Sequence, residues 1–443
     1  MKNIELKYRY LARFIVEGET PIMIGSGEKG ILTDHLLMRD MNGLPYIPGT
    51  ALTGVLRHML TDELQDENII NSLFGFHKGK DGCGSRIIFS EARIVGENKK
   101  VVDGLALPSK TISSLFKTLP IRQHVLIKAN GSTTKGGKFD EEIVYKGTRF
   151  CFEVELIVKH EYEKELFRSI LSNIGKDSFR IGGSTRKGFG KLSVIESKII
   201  GLDLTKEQDL KSYIEKTSSL NDPFWNNIKN EGIEKKQNDL ESISINLKVK
   251  DFLLSGSGFG NEDADATPMM EDVLIWKDEI PQLERFFVIP GASIKGALAH
   301  RTIFHYFLKK RENLEELFEE SRLLLENESL CKKELFGSVK EEEASIGNVI
   351  ISDIYIPCNT ASKEIQPHVV IDAFTGGAVK GKLFQEELLS TNQKIPLNIQ
   401  IVNKKYSPHV RESFIEAIND LKNGMLPLGA ATTRGHGTFK IGE

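Results

Sequence analysis

Two aspartates, Asp34 and Asp272, each stand where a glycine-containing loop meets an apolar strand. A carboxylate at such a loop edge could hold Mg²⁺ or activate a ribose hydroxyl, provided that phosphates bind nearby. The alternative is a strand-end cap, and the two residues taken alone favour the cap. Three other acidic residues near Asp272 could serve instead of it, namely Asp263, Asp265 and Glu271.

One glycine-rich segment near the end of each half combines glycine with basic residues. The two segments are IGGSTRKGFGKL at 181–192 and LGAATTRGHGTF at 428–439. Glycine lets backbone N–H groups come close to a phosphate, and arginine or lysine neutralises its charge. A turn before the last strand is the alternative. Because both segments keep Gly-x-Gly beside a basic residue, we predict contact with a phosphate backbone.

Two long polar segments lie between strands. HVLIKANGSTTKGGKF starts at His124, and HVVIDAFTGGAVKGKLF starts at His368. We predict exposed β-hairpins that could lie across an extended polymer, the alternative being ordinary solvated loops. Because apolar residues follow both histidines, we interpret them as hydrogen-bonded structural residues rather than ligands.

The sequence repeats itself over its whole length. Residues 47–58 read IPGTALTGVLRH and residues 289–300 read IPGASIKGALAH, and the glycine-rich and polar segments follow in the same order in both halves. Several collinear matches of this kind do not arise by chance. We therefore predict two fused copies of one domain, over 1–202 and 244–443, joined by a polar linker over 203–243.

Each copy has a mixed pattern of elements. Strand–helix–strand–strand–helix–strand is the order of a ferredoxin-like fold, so the predicted class is α+β with two tandem ferredoxin-like domains that carry insertions and hairpins. The Ile-Pro-Gly turn should begin a helix, with Thr50 or Ser293 as the cap. Residues 308–334 are predicted to be a charged helical elaboration of the second copy.

The composition excludes several classes of protein. The chain is 40% hydrophobic and 27% charged, which is typical of a soluble globular protein. Its 59 Lys and Arg against 62 Asp and Glu give a formal charge of −3, so no overall basic excess indicates nucleic acid. The four cysteines form no CxxC pair, and we find neither an apolar signal nor a membrane span. We expect a cytoplasmic protein that does not bind membranes.

Taken together, the motifs resemble the RAMP superfamily of CRISPR-associated proteins. Four motifs carry the resemblance across both halves, namely IGSG, Asp-x5-Asp, the Ile-Pro-Gly turn and a terminal G-x-x-x-x-[RK]-G-x-G. HVVIDAFTGGAVKGKLF is similar to the [VI]-D-R-[FL]-T-G-G-A segment of backbone subunits in type III effector complexes. The doubled form looks most like the fused backbone subunits of type III-D-like systems.

The resemblance implies RNA-recognition-motif-like cores that bind a guide RNA (crRNA) beside other CRISPR effector subunits. Family members use a hairpin thumb, here 124–142 and 368–387, to displace nucleotides, and they cut the paired target RNA with a loop aspartate and a divalent metal. The resemblance therefore implies Asp34 and Asp272 as catalytic, metal-holding residues with Mg²⁺ or Mn²⁺ and no organic cofactor. The implied RNA contacts are Ser26, Arg57, Gly183, Arg186, Lys187 and Gly188 in the first copy, and Ser257, Lys295, Thr433, Arg434 and Gly435 in the second.

The chain also departs from the family pattern. Thr53 stands where the second copy has Lys295, Ala299 takes the place of Arg57, and Ala373 replaces the arginine of the hairpin motif. Two alternatives therefore stay open: a scaffold that binds the guide RNA without cleaving, and a guide-precursor processing nuclease with a histidine as general acid or base. The position of the shared histidines disfavours the nuclease.

Overall fold

The computed structural model describes most of the chain between residues 7 and 442. The ranges left out are residues 32, 106–107, 128–131, 160–162, 233–238, 311–330, 339–343 and 403–404. Most of the helical elaboration predicted over 308–334 therefore lies outside the described residues.

The first copy contains both strands and helices. Its strands are β1 (Tyr8–Gly18), β2 (Phe76–Lys78), β3 (Asp81–Cys83), β4 (Ile87–Phe89), β5 (Arg93–Ile94), β6 (Ile121–Ile127), β7 (Thr133–Glu142), β8 (Arg149–Val158) and β9 (Leu192–Asp203). Its helices are α1 (Gly49–Leu64), α2 (Glu67–Phe74), α3 (Lys110–Leu115) and α4 (Glu163–Ser172), and α5 (Glu207–Glu215) follows in the predicted linker.

The second copy has a longer polar hairpin than the first and two further strands before its first helix. Its strands are β10 (Leu240–Val249), β11 (Met270–Lys277), β12 (Ile280–Ile289), β13 (Gly337–Ser338), β14 (Ser345–Ile346), β15 (Val349–Ile351), β16 (Ile354–Pro357), β17 (Ser362–Ile371), β18 (Ala378–Ser390), β19 (Ile395–Val402) and β20 (Phe439–Ile441). Its helices are α6 (Gly291–Lys310) and α7 (Pro408–Lys422).

Both copies build the same antiparallel sheet. The strand order is β4-β8-β1-β9 in the first copy and β15-β19-β10-β20 in the second. In each sheet the first and third strands of the repeated order lie in the centre, which is the ferredoxin-like arrangement. The predicted α+β class with two ferredoxin-like copies is confirmed.

Helices cover one face of each sheet. Leu52 and Leu56 of α1 are one helical turn apart, so they share a face, and both are fully buried. Under them, Phe14 of β1 stacks on its cross-strand partner Phe152 with ring centroids 5.2 Å apart. Each such buried side chain contributes about 1.5–3 kcal/mol relative to exposure. The apolar alternation of β1 and the helical spacing of α1 thus determine which faces meet.

The segment predicted as a polar linker covers the other face of the first sheet. The side chain of Trp225 packs against Leu11 of β1 and Leu202 of β9, and its indole N–H donates to Glu153 at 2.5 Å. Arg13 of β1 donates two hydrogen bonds to the carbonyl of Leu220. Residues up to 232 therefore form an outer layer of the first copy, and the first strand of the second copy begins at 240.

The Ile-Pro-Gly turns start helices as predicted, but the expected caps were wrong. α1 begins at Gly49 with Pro48 before it, and within the described residues no side chain caps this end, so Thr50 lies inside the first turn. The N–H of Gly291 at the start of α6 donates to Asp353 at 2.7 Å, so Asp353 takes the role predicted for Ser293. The cap comes from the turn between β15 and β16, which local sequence does not reveal.

The two polar segments form long antiparallel hairpins, as predicted. The first hairpin is β6–β7 and the second is β17–β18, and in each the histidine at the start of the segment pairs with a phenylalanine of the return strand. These pairs are His124 with Phe139 and His368 with Phe384. Among the described residues, no helix is long and apolar enough to cross a membrane.

Candidate nucleic-acid interface

Asp34 lies in the loop after β1, where that loop meets the return strand of the first hairpin. Its carboxylate accepts the N–H of Asp140 at 3.1 Å, and the carboxylate of Asp140 accepts the N–H of Asp34 at 3.2 Å. The backbone hydrogen bond from Asp140 is the main cause of a lowered pKa for Asp34. Asp34 is therefore ionised at neutral pH and can bind a cation or accept a proton.

The second copy repeats this carboxylate loop around Asp265. The carboxylate of Asp265 accepts the N–H of Gln385 at 2.8 Å, just as Asp34 accepts the N–H of Asp140. Its backbone N–H also donates to the carbonyl of Gln385, at 2.9 Å. Asp265 is thus the structural counterpart of Asp34.

The two predicted serines shape these loops in the same way. The N–H of Ser26 donates to the carbonyl of Leu36 at 2.9 Å, and the N–H of Ser257 donates to the carbonyl of Thr267 at 2.8 Å. The hydroxyl of Ser26 donates to Leu36, and the hydroxyl of Ser257 bonds that of Thr267. Both serines therefore position the loops, and this matched pairing independently fixes the register between Asp34 and Asp265.

The alignment of Asp272 with Asp34 was wrong. Asp272 is the third residue of β11, and its carboxylate pairs with Arg285 of β12 at 3.1 Å. The segment between the carboxylate loop and the Ile-Pro-Gly turn is longer in the second copy, because it forms the β11–β12 hairpin. The two segments DVLIWKD and DHLLMRD are alike in sequence, but the first belongs to a regular β-strand and the second to a loop with isolated β-bridges.

The two glycine-rich segments form loops of the same shape. In the first glycine loop (182–190) and the second glycine loop (429–437), a single helical turn is closed by a glycine with positive φ, 98° at Gly188 and 95° at Gly435. A side chain is strained at such a φ, so glycine is required at this position. The repeated motif therefore specifies one repeated backbone conformation.

The first glycine loop packs on the second copy. A Cβ on Gly188 would lie 2.5 Å from the carbonyl oxygen of Ile351 at the end of β15, so only glycine allows this contact. From α6, Nζ of Lys295 donates to the carbonyl of Arg186 at 3.1 Å. Basic residues predicted from different copies are thus brought together at one junction.

Arg186, Lys187 and Lys295 form a junction cluster of half-buried cations. Burial, together with the positive charges of Arg186 and Lys187, lowers the pKa of Lys295 to about 8. Burial also lowers the pKa of Arg186, whose Nε has no hydrogen-bond partner among the described residues. Because buried like charges repel, this cluster would be stabilised by a bound anion.

Two predicted contacts of the first copy have structural roles. The guanidinium of Arg57 donates to the carbonyl of Gly75 at 2.8 Å and to the amide oxygen of Asn71 at 2.9 Å, so it joins α1 to the end of α2. The N–H of Gly183 donates to the carbonyl of Met23 at 2.7 Å, which anchors the first glycine loop. Neither residue joins the junction cluster.

The second glycine loop is exposed. Arg434 contacts Glu386 of the second hairpin at 2.5 Å, and Thr433 and Gly435 face solvent. A Cβ on Gly435 would meet no atom of the described residues within 4 Å. The two glycine loops therefore differ in their surroundings and not in their shape.

This difference gives a matched pair of substitutions. We expect Gly188→Ala to weaken the contact between the copies far more than Gly435→Ala, because both positions have the same strained φ but only Gly188 faces a backbone carbonyl. The strain alone costs about 1–2 kcal/mol. Chemical denaturation of the full chain measures both variants, and equal losses would contradict the packing described for the first glycine loop.

The repeated sheet, hairpin and glycine loop are matched by a known family model. The model of the RAMP superfamily matches residues 15–193 and again residues 246–440. The chain belongs to the RAMP superfamily. A RAMP relative from Methanocaldococcus jannaschii, described as "CRISPR system Cms endoribonuclease Csm3", is 27% identical over 261 residues, which are 52% of this chain and 99% of the relative.

In this RAMP protein the two copies are joined by a buried ionic network. Arg122 of the first hairpin, 1% exposed, donates to both carboxylate oxygens of Glu271 at 2.6 Å and to Asp353 at 2.7 Å. Tyr355 donates to Glu271 at 3.0 Å. The carboxylates of Asp353 and Glu271 raise the pKa of Arg122 well above its ordinary value against the opposing effect of burial, so the guanidinium stays charged.

Strand β11 adds a second contact between the copies. The N–H of Leu274 donates to the carbonyl of Lys146, and the indole N–H of Trp276 donates to the carbonyl of Gly147, both at 2.8 Å. The guanidinium of Arg149 lies over the Trp276 ring, 4.2 Å from its centroid. These contacts, with Arg122, hold the two RAMP copies in one arrangement.

The donor set at the carboxylate loops suits a hard divalent cation only in part. Asp34 and Asp140 offer two carboxylates, whereas the second loop offers Asp265 beside the amide of Gln385. Mg²⁺ commonly takes one or two carboxylates and completes its shell with water and phosphate oxygens. The described residues contain no group of three or more His, Cys, Asp or Glu arranged for a metal ion.

Proposed function

We propose that this chain is a backbone subunit of a type III CRISPR RNA-guided effector complex that binds guide RNA and cleaves complementary target RNA. The observation that carries the proposal is the junction cluster, in which half-buried cations from both copies converge beside a glycine loop. The relative described as an endoribonuclease supports the RNA-cleaving part.

The junction cluster suits the backbone of RNA. Lys187 lies over the ring of Phe139 at 4.8 Å from its centroid, so the cluster borders the first hairpin. A phosphate at this position would relieve the repulsion among the three cations and supply an acceptor for Arg186 Nε. Contacts to phosphate carry no sequence information, which fits a subunit that must accept different guides.

Asp34 and Asp265 are the carboxylates that we propose for cleavage. Each is held by a backbone N–H of the neighbouring hairpin, so its position is fixed relative to a strand of RNA lying across that hairpin. Mg²⁺ or Mn²⁺, when bound by Asp34 with Asp140, or by Asp265, would supply stabilisation of negative charge on the phosphoryl oxygens. Asp272 has no part in this proposal, because Arg285 neutralises it on β11.

Other effector subunits are the expected partners of the second glycine loop. The first glycine loop is covered by β15 and α6 of the second copy, while its counterpart is exposed at Gly435. Because the second glycine loop has the same shape, it can pack on a neighbouring protein whose surface resembles the one that β15 and α6 form over the first glycine loop. We propose that a neighbouring subunit covers it in the assembled complex.

Lys295 gives a pH-dependent test of guide binding. Because its pKa is about 8, the ammonium is charged below pH 8 and loses its charge as the pH rises through that value. RNA affinity should therefore fall as the pH rises through 8. Lys295→Gln should weaken binding at pH 7 by about tenfold or more and flatten this pH dependence. Fluorescence anisotropy of the full chain with a labelled single-stranded RNA measures both effects.

The matched control is Lys211→Gln on the exposed outer helix α5. The side chain of Lys211 is 72% exposed and pairs only loosely with Glu215, so its loss should leave RNA affinity within about twofold of the wild type. Wild-type affinity in the Lys295→Gln variant would contradict the proposal that the junction cluster binds the guide.

A further inference from the structure

Four side chains form a hairpin quartet at the base of the first hairpin: His124, Phe139, Glu141 and Lys187. His124 bonds Glu141 at 2.7 Å and stacks on Phe139 with centroids 4.8 Å apart. Lys187 lies over the same ring, and the hydroxyl of Ser184 donates to Glu141 at 3.2 Å. Glu141, 2% exposed, thus joins the first glycine loop to the hairpin.

The second copy repeats the hairpin quartet with His368, Phe384, Glu386 and Arg434. His368 stacks on Phe384 at 5.0 Å, and Arg434 lies 5.3 Å from the centroid of that ring while contacting Glu386. Nε2 of His368 lies 3.1 Å from Glu386, but the two atoms are not aligned as a hydrogen bond. The repeated quartet is therefore looser in the second copy.

In each quartet, two members flank in sequence the hairpin residue whose backbone N–H holds a candidate catalytic carboxylate. Asp140 lies between Phe139 and Glu141, and its N–H is the donor to Asp34. Gln385 lies between Phe384 and Glu386, and its N–H is the donor to Asp265. Any movement of the quartet must therefore move the backbone N–H on which the carboxylate depends.

We propose that His124 and His368 are positioning residues, which fix the carboxylate of their own copy relative to the guide-binding glycine loop. The inference rests on the proposed function and adds to it the residues that connect the guide contact with the cut. His124 acts through its hydrogen bond to Glu141, since a buried carboxylate without that partner would seek another and shift the strand that carries Asp140.

Two substitutions can separate the effect of the hydrogen bond between His124 and Glu141 from the effect of the stacking of His124 on Phe139. His124→Gln keeps a donor that can reach Glu141 but loses the ring, whereas His124→Phe keeps the ring stacked on Phe139 and loses the hydrogen bond. The full chain with bound guide RNA is given a labelled complementary RNA and Mg²⁺, and the rate of each cut is measured in single turnover. His58→Asn on the exposed face of α1, where the side chain is 80% exposed, is the control.

We expect His124→Phe to slow the cut assigned to Asp34 by about 10- to 100-fold, with guide affinity and the cut assigned to Asp265 unchanged. His124→Gln should restore most of the rate. Because His368 lies 3.1 Å from Glu386 without a hydrogen bond, His368→Phe should remove a weaker contact and slow the other cut by a smaller factor.

Three results would overturn the inference. A wild-type rate in His124→Phe would show that stacking alone suffices, and an equal slowing of both cuts would show a general structural role. A fall in guide affinity parallel to the fall in rate would assign His124 to binding. The proposed function fails separately if Asp34→Asn and Asp265→Asn leave both cuts intact, and the inference then fails with it.

Discussion

Asp34→Asn should remove one of two cuts in a complementary RNA, slowing that cut by about 10²- to 10⁴-fold. The substitution keeps an oxygen that can accept the N–H of Asp140 but removes the negative charge that the proposed reaction needs. Guide binding should persist, because Asp34 does not belong to the junction cluster. Mapping the fragments of an end-labelled target RNA, with the guide-loaded full chain and Mg²⁺, measures the effect.

The second copy supplies both a partner and a control for this substitution. Asp265→Asn should remove the other cut, whereas Asp272→Asn should leave both cuts at their wild-type rates, because Asp272 is paired with Arg285 on β11. Loss of a cut in Asp272→Asn, with both cuts retained in Asp265→Asn, would contradict the structural pairing of Asp34 with Asp265.

Arg122→Ala should lower the free energy of unfolding by about 3–5 kcal/mol, because it leaves Glu271 and Asp353 as buried charges without their shared cation. Of their partners among the described residues, Glu271 would keep only the hydroxyl of Tyr355, and Asp353 would keep only the N–H of Gly291. Denaturant unfolding of the full chain measures the loss. The fluorescence of Trp276, at the contact between the copies, should report it directly.

Arg285→Ala is the matched control for Arg122. It also removes an arginine that pairs with a carboxylate on β11, but its side chain is 55% exposed, so it should cost about 0–1 kcal/mol. Equal losses in the two variants would show that the buried network does not hold the copies together.

Features that depend on local rules were predictable from the sequence. The ferredoxin-like order follows from the spacing of apolar residues, and the two hairpins follow from polar segments between strands. The repetition strengthened each prediction, because one backbone conformation, such as the positive φ at Gly188 and Gly435, explains both copies of a motif. Arg186, Lys187 and Lys295 were predicted separately as RNA contacts of the two copies, and only the structure shows that they lie together. Their RNA-binding role stays a prediction.

The wrong register of Asp272 has a physical cause. Sequence comparison favoured DVLIWKD because its apolar residues resemble those after Asp34. In the structure, however, the apolar residues of β11 pack on the first copy, where the N–H of Leu274 donates to the carbonyl of Lys146. The hydrogen bond from Gln385 to Asp265 is what identifies the true counterpart. That bond joins segments far apart in the chain, and no local pattern predicts it.

The contacts between the copies could not be found by comparing the copies. Gln366 of the second copy stands at the hairpin position of Arg122, so the repeat gave no signal for the buried network. The same holds for the packing of Gly188 on Ile351, which the exposed Gly435 does not share. An internal repeat reveals what two copies have in common, whereas their interface depends on what differs between them.

The most direct test of the proposed function is to purify the full chain from cells that express a CRISPR repeat array and to examine both the RNA that it carries and the RNA that it cuts. We expect a short RNA with a uniform 5′ sequence, together with Mg²⁺-dependent cutting of a complementary RNA at two places, one lost in Asp34→Asn and the other in Asp265→Asn. A chain that carries no such RNA and leaves the complementary strand intact would contradict the proposal.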